Sequence, residues 1–339
     1  MRRIPMIAAF ARRLLAVGPI LALVSLLLFG ALRLLPIDPA AMSMPPTATK
    51  LEIEAARQAM GLDKPVTTQY AIWLGQTLRG DFGNSIHMRR PVAGLLKETL
   101  PATIELSLAA MVIAGVLGLG GGLGMFALRD RRGEAVAETV TTLMMSLPEF
   151  LWGLLLIFVF GVLLSALPFT GRLDPGMTRP VVTQFLLLDT LLVGRVDVFF
   201  SALRHMVLPA FALGVAFAPP IMRVLRASLI DAYQEDYIRQ ARLRGVGEGR
   251  ILLFHALQNA VLPTLTLMGV QFGFLFGGSL LVEVIYSYPG MGNLMVDAVR
   301  NADLPIIQAV GLTYCVVVLA ITALVDGLVM LLNPRLRGA

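Results

Sequence analysis

The chain has 339 residues, of which 57% are hydrophobic and 15% are charged, and its formal net charge is +6. Soluble domains are about 45–50% apolar and about 25% charged, so this composition excludes an ordinary soluble fold. The arginines cluster beside long apolar runs, without the basic patches and interleaved aromatic residues of a nucleic-acid surface. The positive charge therefore indicates a membrane-topology signal and no nucleic-acid partner.

Six apolar runs are each long enough to cross a hydrocarbon core of about 30 Å as a helix. They cover residues 14–35, 101–126, 139–167, 204–223, 263–285 and 305–332. We therefore predict an all-α integral membrane protein with about six transmembrane helices in the lipid bilayer. The connecting segments that share a side with the N-terminus carry Lys and Arg at about twice the density of the others, which places both termini in the cytoplasm.

The first part of the chain, residues 1–35, combines a basic N-terminus with the first apolar run. A secretory signal peptide begins in the same way. This run is longer than a typical signal core, however, and no clear small-x-small cleavage site follows it. We expect a retained first transmembrane helix.

The second part, residues 36–100, is predicted to be extracytoplasmic and is too long for a simple connection. Residues 51–60 show a helical pattern, Gly61 follows as a stop, and residues 80–85 are rich in turn formers. These signals predict a small folded element. The rest of the chain divides into a transmembrane core, residues 101–332, with an inside loop at about 224–262, and a cytoplasmic tail, residues 333–339.

Ionisable side chains within apolar runs are candidates for functional sites, because burying a charge in lipid is costly. The runs contain four such acids: Glu105, Glu149, Glu283 and Asp326. Three of them lie within about two turns of a predicted helix end, so we expect water or headgroups near them and a structural role. Glu149 follows Pro148 inside the third run, and the sequence is compatible either with lining a pathway or with packing against a partner helix.

The fifth run carries Gly269, Gly273 and Gly277 at intervals of four, with Gln271 between the first two. Such a row lets helix backbones approach closely and indicates packing, with pathway lining as the alternative. The possible pathway residues are therefore Glu149, Gln271 and Gly273. Six glycines between residues 115 and 124 favour the same kind of packing in the second run.

The motifs of common membrane and nucleotide enzymes are missing from the sequence. It contains no G-x-x-x-x-G-K-[ST] phosphate loop, no H-E-x-x-H zinc motif and no G-x-S-x-G elbow. The three histidines are far apart, and the single Cys315 allows neither a disulfide nor a thiolate metal site. We expect no metal, no cofactor and no enzymatic activity, so any ATP must be hydrolysed by a partner.

The inside loop carries the most specific pattern. Residues 236–245 read DYIRQARLRG, and residues 255–263 read HALQNAVLP. Both halves and their spacing resemble the coupling loop of binding-protein-dependent ABC import permeases, in the form of the dipeptide, oligopeptide and nickel branch. Arg239-Gln240-Ala241 stands in the place of the Glu-Ala-Ala of the wider family, so that Ala241 and Gly245 are retained whereas the acidic residue is not.

Other stretches resemble the same branch along nearly the whole chain. They are GLDKP at 61–65, GDFGNS at 80–85, LPATIEL at 100–106, YPGMG at 288–292 and NPRLR at 333–337. The long region after the first helix resembles the first of the two paired permeases. Glu149 is a departure, since a small or amide residue is expected after the proline.

The resemblance implies a type I ABC importer permease fold in a bacterial cytoplasmic membrane. It implies four kinds of partner: a second permease, two ATP-binding subunits and an extracytoplasmic substrate-binding protein. Members of this branch carry dipeptides, longer peptides, glutathione-like molecules or chelated nickel, and the sequence does not choose among them. A secondary transporter or channel would show inverted repeats and paired ionisable groups at midplane, and a membrane-embedded enzyme would show the missing motifs.

The residues that the resemblance assigns to ATPase coupling are Tyr237, Arg239, Ala241, Arg242, Gly245, His255, Asn259 and Pro263. We expect residues 237–245 to form a short helix in a groove of the ATPase. Ala241 and Gly245 share one helix face at a spacing of four and are expected at the contact. A simpler and compatible role for Gly245 is to end the helix in a left-handed cap.

Overall fold

The structure, a computed structural model, describes residues 6–34, 38–44, 47–59 and 61–332. The motif at residues 333–337 lies outside the described residues, as does the side chain of Asp326. Within the described ranges the only extended pairing is a single bridge between Asn84 and Pro91. The predicted all-α class is confirmed.

Fourteen α-helices follow one another in these ranges. They are α1 (Met6–Arg33), α2 (Pro39–Ser43), α3 (Lys50–Ala59), α4 (Val66–Leu78), α5 (Val92–Ala127), α6 (Gly133–Ser146), α7 (Glu149–Leu156), α8 (Leu186–Val193), α9 (Val196–Gln234), α10 (Asp236–Leu243), α11 (Glu248–Ile251), α12 (Leu257–Ile285), α13 (Met291–Arg300) and α14 (Leu304–Leu332). A π-helical segment, Ile157–Leu163, continues α7, and a second one, Leu252–Ala256, joins α11 to α12.

Length and composition identify the membrane-spanning helices. In the described residues four are long and apolar enough: Val92–Ala127, Val196–Gln234, Glu248–Ile285 and Leu304–Val325. The bent pair Gly133–Ser146 and Glu149–Leu163 adds a fifth crossing if it counts as one span. Helix α1 has 28 residues and is about 42 Å long at 1.5 Å per residue, and its apolar part from Val17 to Arg33 is shorter than these four spans. This criterion therefore gives four or five spans where six were predicted.

Two observed spans are longer than predicted, and a third is broken at a proline. Helix α5 begins at Val92 and not at residue 101, and Pro101 lies inside it. Likewise α9 extends well beyond the predicted 204–223 and contains three prolines. The third run is not one straight helix: it breaks before Pro148, where Leu147 is extended, and the two halves meet at 98°.

Helices α5 and α9 form the centre of the subunit and pack through glycines. A Cβ on Gly118 would lie 2.5 Å from Cγ2 of Ile221, and one on Gly214 would lie 2.5 Å from Cγ2 of Ile113. Because each glycine lacks a side chain, the branched side chain of the opposite helix packs directly against its backbone, as the glycine-rich sequence predicted. In both contacts residue number rises in the same direction, so α5 and α9 run parallel.

Parallel packing constrains the chain between these two helices. Helix α9 starts at the level at which α5 starts, so the segment from residue 128 to residue 195 must return across the subunit. Within it, α6 and α7 provide the apolar length for one crossing. This supports counting the bent pair as a single broken span.

The two ends of the helix bundle carry different short helices. The outer end, as we name it, carries α2, α3, α4, α8 and α13; there the start of α5 packs against α13 and the start of α14 in one apolar cluster. The inner end carries α10 and α11, which pack against the last turns of α5 and α9. The predicted helix after residue 50 is present as α3, and Gly61 follows it with a φ of +65°.

The contact between α5 and α9 makes the first testable prediction. Replacing Gly118 with alanine places a methyl group against the β-branched Ile221 and is expected to destabilise the subunit by about 1–3 kcal/mol. Gly120 lies on the exposed side of the same helix with no atom within 4 Å of its added Cβ, so Gly120→Ala should leave stability unchanged or raise it. Thermal unfolding of the detergent-solubilised protein measures both variants. Equal melting temperatures would contradict the packing.

Candidate functional site

The inner end contains the predicted coupling loop as a helix with defined ends. Glu235 is extended, with φ −74° and ψ 146°, and this break separates α10 from α9. Gly245 ends α10 with a φ of +77°, and the next amide, of Val246, donates to the carbonyl of Ala241 at 3.1 Å. Gly245 therefore occupies the left-handed cap that the sequence offered as its simpler role.

One face of α10 belongs to the subunit's own core. The side chain of Ala241 is only 6% exposed and that of Ile238 is fully buried, and both lie in a cluster with Leu225 and Leu229 of α9. Residues 238 and 241 share a face at a spacing of three. The Ala241 side chain therefore contacts α9, and its expected contact with a partner stays a prediction.

The opposite face of α10 is open. Leu243 is 81% exposed, and Arg239 is exposed and forms no ion pair within the described ranges. Arg242 extends its Nε to Glu248 at 2.6 Å, and its guanidinium lies 5.4 Å from the ring centroid of Tyr233. Gly245, beyond the end of α10, is also exposed, and no atom lies within 4 Å of a Cβ added to it. We define the exposed face of α10 as Arg239 and Leu243.

The structure brings the two halves of the coupling motif together at one point. Asn259 Nδ2 at the start of α12 donates to the Tyr237 hydroxyl of α10 at 3.0 Å. Nδ1 of the half-buried His255 is 3.3 Å from the carbonyl oxygen of Arg250. His255, which lies in the segment that joins α11 to α12, therefore contacts α11. Pro263 lies inside α12 and does not join this contact. The Tyr237–Asn259 hydrogen bond thus fixes α10 relative to a membrane-spanning helix.

The possible pathway residues lie apart from one another. Glu149 is the half-buried first residue of α7, and its Oε1 is 3.5 Å from the Cβ position of Gly278. A Cβ on Gly273 would lie 3.4 Å from Cγ1 of Val318, so this glycine packs towards α14. Gln271 is half-buried, and no hydrogen bond joins it to Glu149 in the described part of the chain. The structure therefore favours packing for the glycine row, and it does not assemble these three residues into one site.

Two of the acids expected near water or headgroups are instead buried in protein. Glu283 at the end of α12 is fully buried; Thr103 Oγ1 donates to it at 2.7 Å, and the Gly292 amide donates at 2.7 Å. The Thr103 hydroxyl also accepts the Met291 amide at 2.8 Å. Glu283 of α12 thereby accepts hydrogen bonds from the first turn of α13 and from α5, and it connects these three helices. This position is structural, as predicted, but the predicted solvation is wrong.

Glu105 forms a second buried contact at the outer end. It pairs with Arg172, and its Oε1 accepts the Leu187 amide of α8 at 2.9 Å. The Arg172 guanidinium lies 5.3 Å from the ring centroid of Tyr288. These interactions connect α5 to the loop before α8 and to the YPGMG turn. For the buried Glu283, the signal in the sequence was the YPGMG turn. Its glycines Gly290 and Gly292 leave the space in which the Glu283 carboxylate lies.

Carboxylates outside the spans stabilise the surface elements of the outer end. The Asp38 carboxylate accepts the Ala40 amide at 3.0 Å and pairs with Arg57 of α3 at 2.5 Å, and the hydrogen bond from Arg57 lowers the pKa of Asp38. Asp189 of α8 is buried, and burial alone would raise its pKa. Hydrogen bonds from the Thr183 hydroxyl and from three backbone amides have the larger combined effect, so the pKa of Asp189 is lowered. Within the described ranges no group of His, Cys, Asp and Glu is arranged to hold a metal ion.

Comparisons with known proteins add to this geometry. The family model described as "Binding-protein-dependent transport system inner membrane component" matches residues 115–338, and the model of the corresponding N-terminal part matches residues 6–107. The di/tripeptide transport system permease protein DppB of Pseudomonas aeruginosa is 38% identical over 333 residues, which cover 98% of this chain and 99% of that protein. The glutathione transport system permease protein GsiC of Escherichia coli strain K12 is 36% identical over 326 residues, 96% of this chain and 97% of that protein.

A solved structure supports the fold. A chain of the MetNI methionine ABC transporter, in inward-facing conformations, matches with a TM-score of 0.55 at 14% identity. The match covers 70% of this chain and 96% of that chain. At this identity the likeness concerns the fold alone, and it agrees with the predicted fold class.

Proposed function

Because the chain belongs to the family of binding-protein-dependent transport system inner membrane components, we propose that it imports peptides of two or three residues. The identity of 38% to a di/tripeptide permease over 98% of the chain carries this proposal. The similar GsiC transports glutathione according to its name, and glutathione is itself a tripeptide. Short peptides are therefore the substrate class common to both relatives.

The chain is a multi-pass inner-membrane permease, and as such it works with other subunits. The partners we propose are a second permease, two ATP-binding subunits and an extracytoplasmic substrate-binding protein. ATP hydrolysis takes place in the ATP-binding subunits. Closure of these subunits moves α10, and the Tyr237–Asn259 hydrogen bond passes the movement to α12, so that the pathway opens to alternate sides.

Growth on defined peptides tests the substrate class. In an auxotrophic strain without its own peptide permeases, the complete transporter and its binding protein should support growth on dipeptides and tripeptides that contain the required amino acid. Peptides of five or more residues should not support growth. Growth on the longer peptides alone, or on none while the transporter is assembled in the membrane, would contradict the proposed substrate class.

We further propose that the outer end faces the periplasm and that both termini are cytoplasmic. The density of Lys and Arg supports this orientation. Single cysteines placed at the exposed Asn84 and Gly247, with Cys315 replaced by serine, should differ in reactivity. An impermeant thiol reagent should label position 84 in intact cells and position 247 only after lysis. Labelling of position 247 in intact cells would reverse the orientation.

A further inference from the structure

A cavity at the outer end belongs to none of the sites above. It has a volume of about 340 Å³ and lies between the end of α1, helix α4 and the start of α14. Phe29 and Trp73, whose ring centroids are 5.4 Å apart, form its aromatic wall. Arg33 and Gln69 are among its polar lining residues. The volume lies within the range of small-ligand sites, which begins at about 300 Å³.

Arg33 supplies a positive charge that the chain does not neutralise. It is the half-buried last residue of α1, and its guanidinium carbon lies 5.1 Å from the Phe29 ring centroid. Across the described ranges it has no ion-pair or hydrogen-bond partner. A guanidinium that is partly removed from water and lacks an acid favours an anionic ligand, and its planar fork fits a phosphate.

Gln69 supplies an acceptor on another wall of the cavity. Its Nε2 donates to the carbonyl oxygens of Leu62 and Lys64 at 3.1 and 2.7 Å, which fixes the side chain. Its buried Oε1 has no hydrogen-bond partner in the described part of the chain. Buried polar atoms are usually paired, so this oxygen calls for a ligand that carries a donor such as a hydroxyl or an ammonium group.

The surroundings of the cavity are typical of the membrane surface. Helix α1 leads to it with the exposed apolar side chains Leu23 and Leu27, each more than half exposed. Helix α4 is apolar on average but contains no fully buried residue. Tyr70 of α4 joins Phe29 and Trp73 in one aromatic cluster, and such residues are enriched at the level of the headgroups.

We propose that this cavity binds the headgroup of a phospholipid of the outer leaflet. The phosphate pairs with Arg33, a headgroup hydroxyl or ammonium donates to Gln69 Oε1, and the acyl chains lie along the exposed apolar side of α1. The bound lipid thereby attaches α4 and the end of α1 to the start of α14. This inference does not depend on the transported substrate.

Lipid retention by the purified, complete transporter tests the site. Dioleoyl phosphatidylglycerol added to the delipidated transporter should be retained in native mass spectrometry, whereas dioleoylglycerol, which has the same chains but no phosphate, should not be. Arg33→Gln should weaken retention about tenfold, because a charged hydrogen bond is lost. Arg33→Lys, which keeps the charge, should weaken it less.

The chain offers a matched control for the charge. Arg79 is exposed at the end of α4 and does not line the cavity, so Arg79→Gln removes the same charge nearby and should bind lipid like the wild type. Equal retention by Arg33→Gln and the wild type would overturn the proposal. Binding of inorganic phosphate without any retention of phosphatidylglycerol would also overturn it, since the site would then take free phosphate and not a phospholipid.

Discussion

Replacing Glu283 with alanine is expected to destabilise the subunit by about 3 kcal/mol or more. The carboxylate is fully buried and accepts the Thr103 hydroxyl and the Gly292 amide, both at 2.7 Å. Alanine leaves these donors without a partner, and each buried unsatisfied donor costs about 1–3 kcal/mol. The melting temperature of the detergent-solubilised protein, compared with the wild type, measures the loss.

Glu98 provides the matched control for Glu283. It lies on α5 at the same end of the subunit, its side chain is 42% exposed, and it pairs with Arg90 at 2.5 Å. Exposed ion pairs contribute about 0–1 kcal/mol, so Glu98→Ala should melt close to the wild type. If Glu283→Ala melted together with Glu98→Ala, the buried network would not hold α13 to α5 and α12.

Replacing Leu243 with aspartate is expected to uncouple the permease from its ATPase without unfolding it. The leucine is 81% exposed on α10, so the subunit itself loses little packing. If the exposed face enters a groove of the ATPase, the new carboxylate must be buried there at a cost of several kcal/mol. We expect retention of the ATP-binding subunits on affinity purification to fall at least about tenfold.

Leu78 is the control for this variant, because it is 79% exposed and is the last residue of α4, at the outer end of the bundle. Leu78→Asp makes the same chemical change and should retain the ATPase fully. Normal retention and transport by Leu243→Asp would show that the exposed face of α10 does not contact the ATPase.

One further substitution separates the two roles of Gly245, the helix cap and the partner contact. Gly245→Asn keeps a residue that tolerates positive φ and should preserve the cap. Loss of coupling in this variant, with normal stability, would therefore place Gly245 itself at the contact. Ala241→Glu does not discriminate, since it buries a carboxylate in the subunit's own cluster and is expected to unfold the inner end.

The helical content and the coupling helix were predictable because their signals are local. Apolar runs identified the membrane-spanning parts, and the turn chemistry of Gly61 and Gly245 marked the ends of α3 and α10. The family resemblance rested on contiguous stretches of sequence, and the relatives at 36–38% identity confirm it.

Tertiary contacts decided the rest. Apolar length does not distinguish a helix side that faces lipid from one that faces protein, so the burial of Glu283 and Glu105 was not predictable from their distance to a helix end. The spacing of Ala241 and Gly245 placed both on one face of α10 but did not say that α9 covers part of it. The apolar run predicts a span that starts at residue 101, whereas the helix extends back to Val92.

The energy source for transport tests the central claim most directly. Proteoliposomes would contain this permease with its proposed partners, and the uptake of a radiolabelled tripeptide would be measured with and without enclosed ATP. An ATP-driven importer should show uptake that requires both ATP and the substrate-binding protein and is unchanged by ionophores. Uptake without ATP, driven by an ion gradient and abolished by ionophores, would contradict ATP-driven import and indicate a secondary transporter.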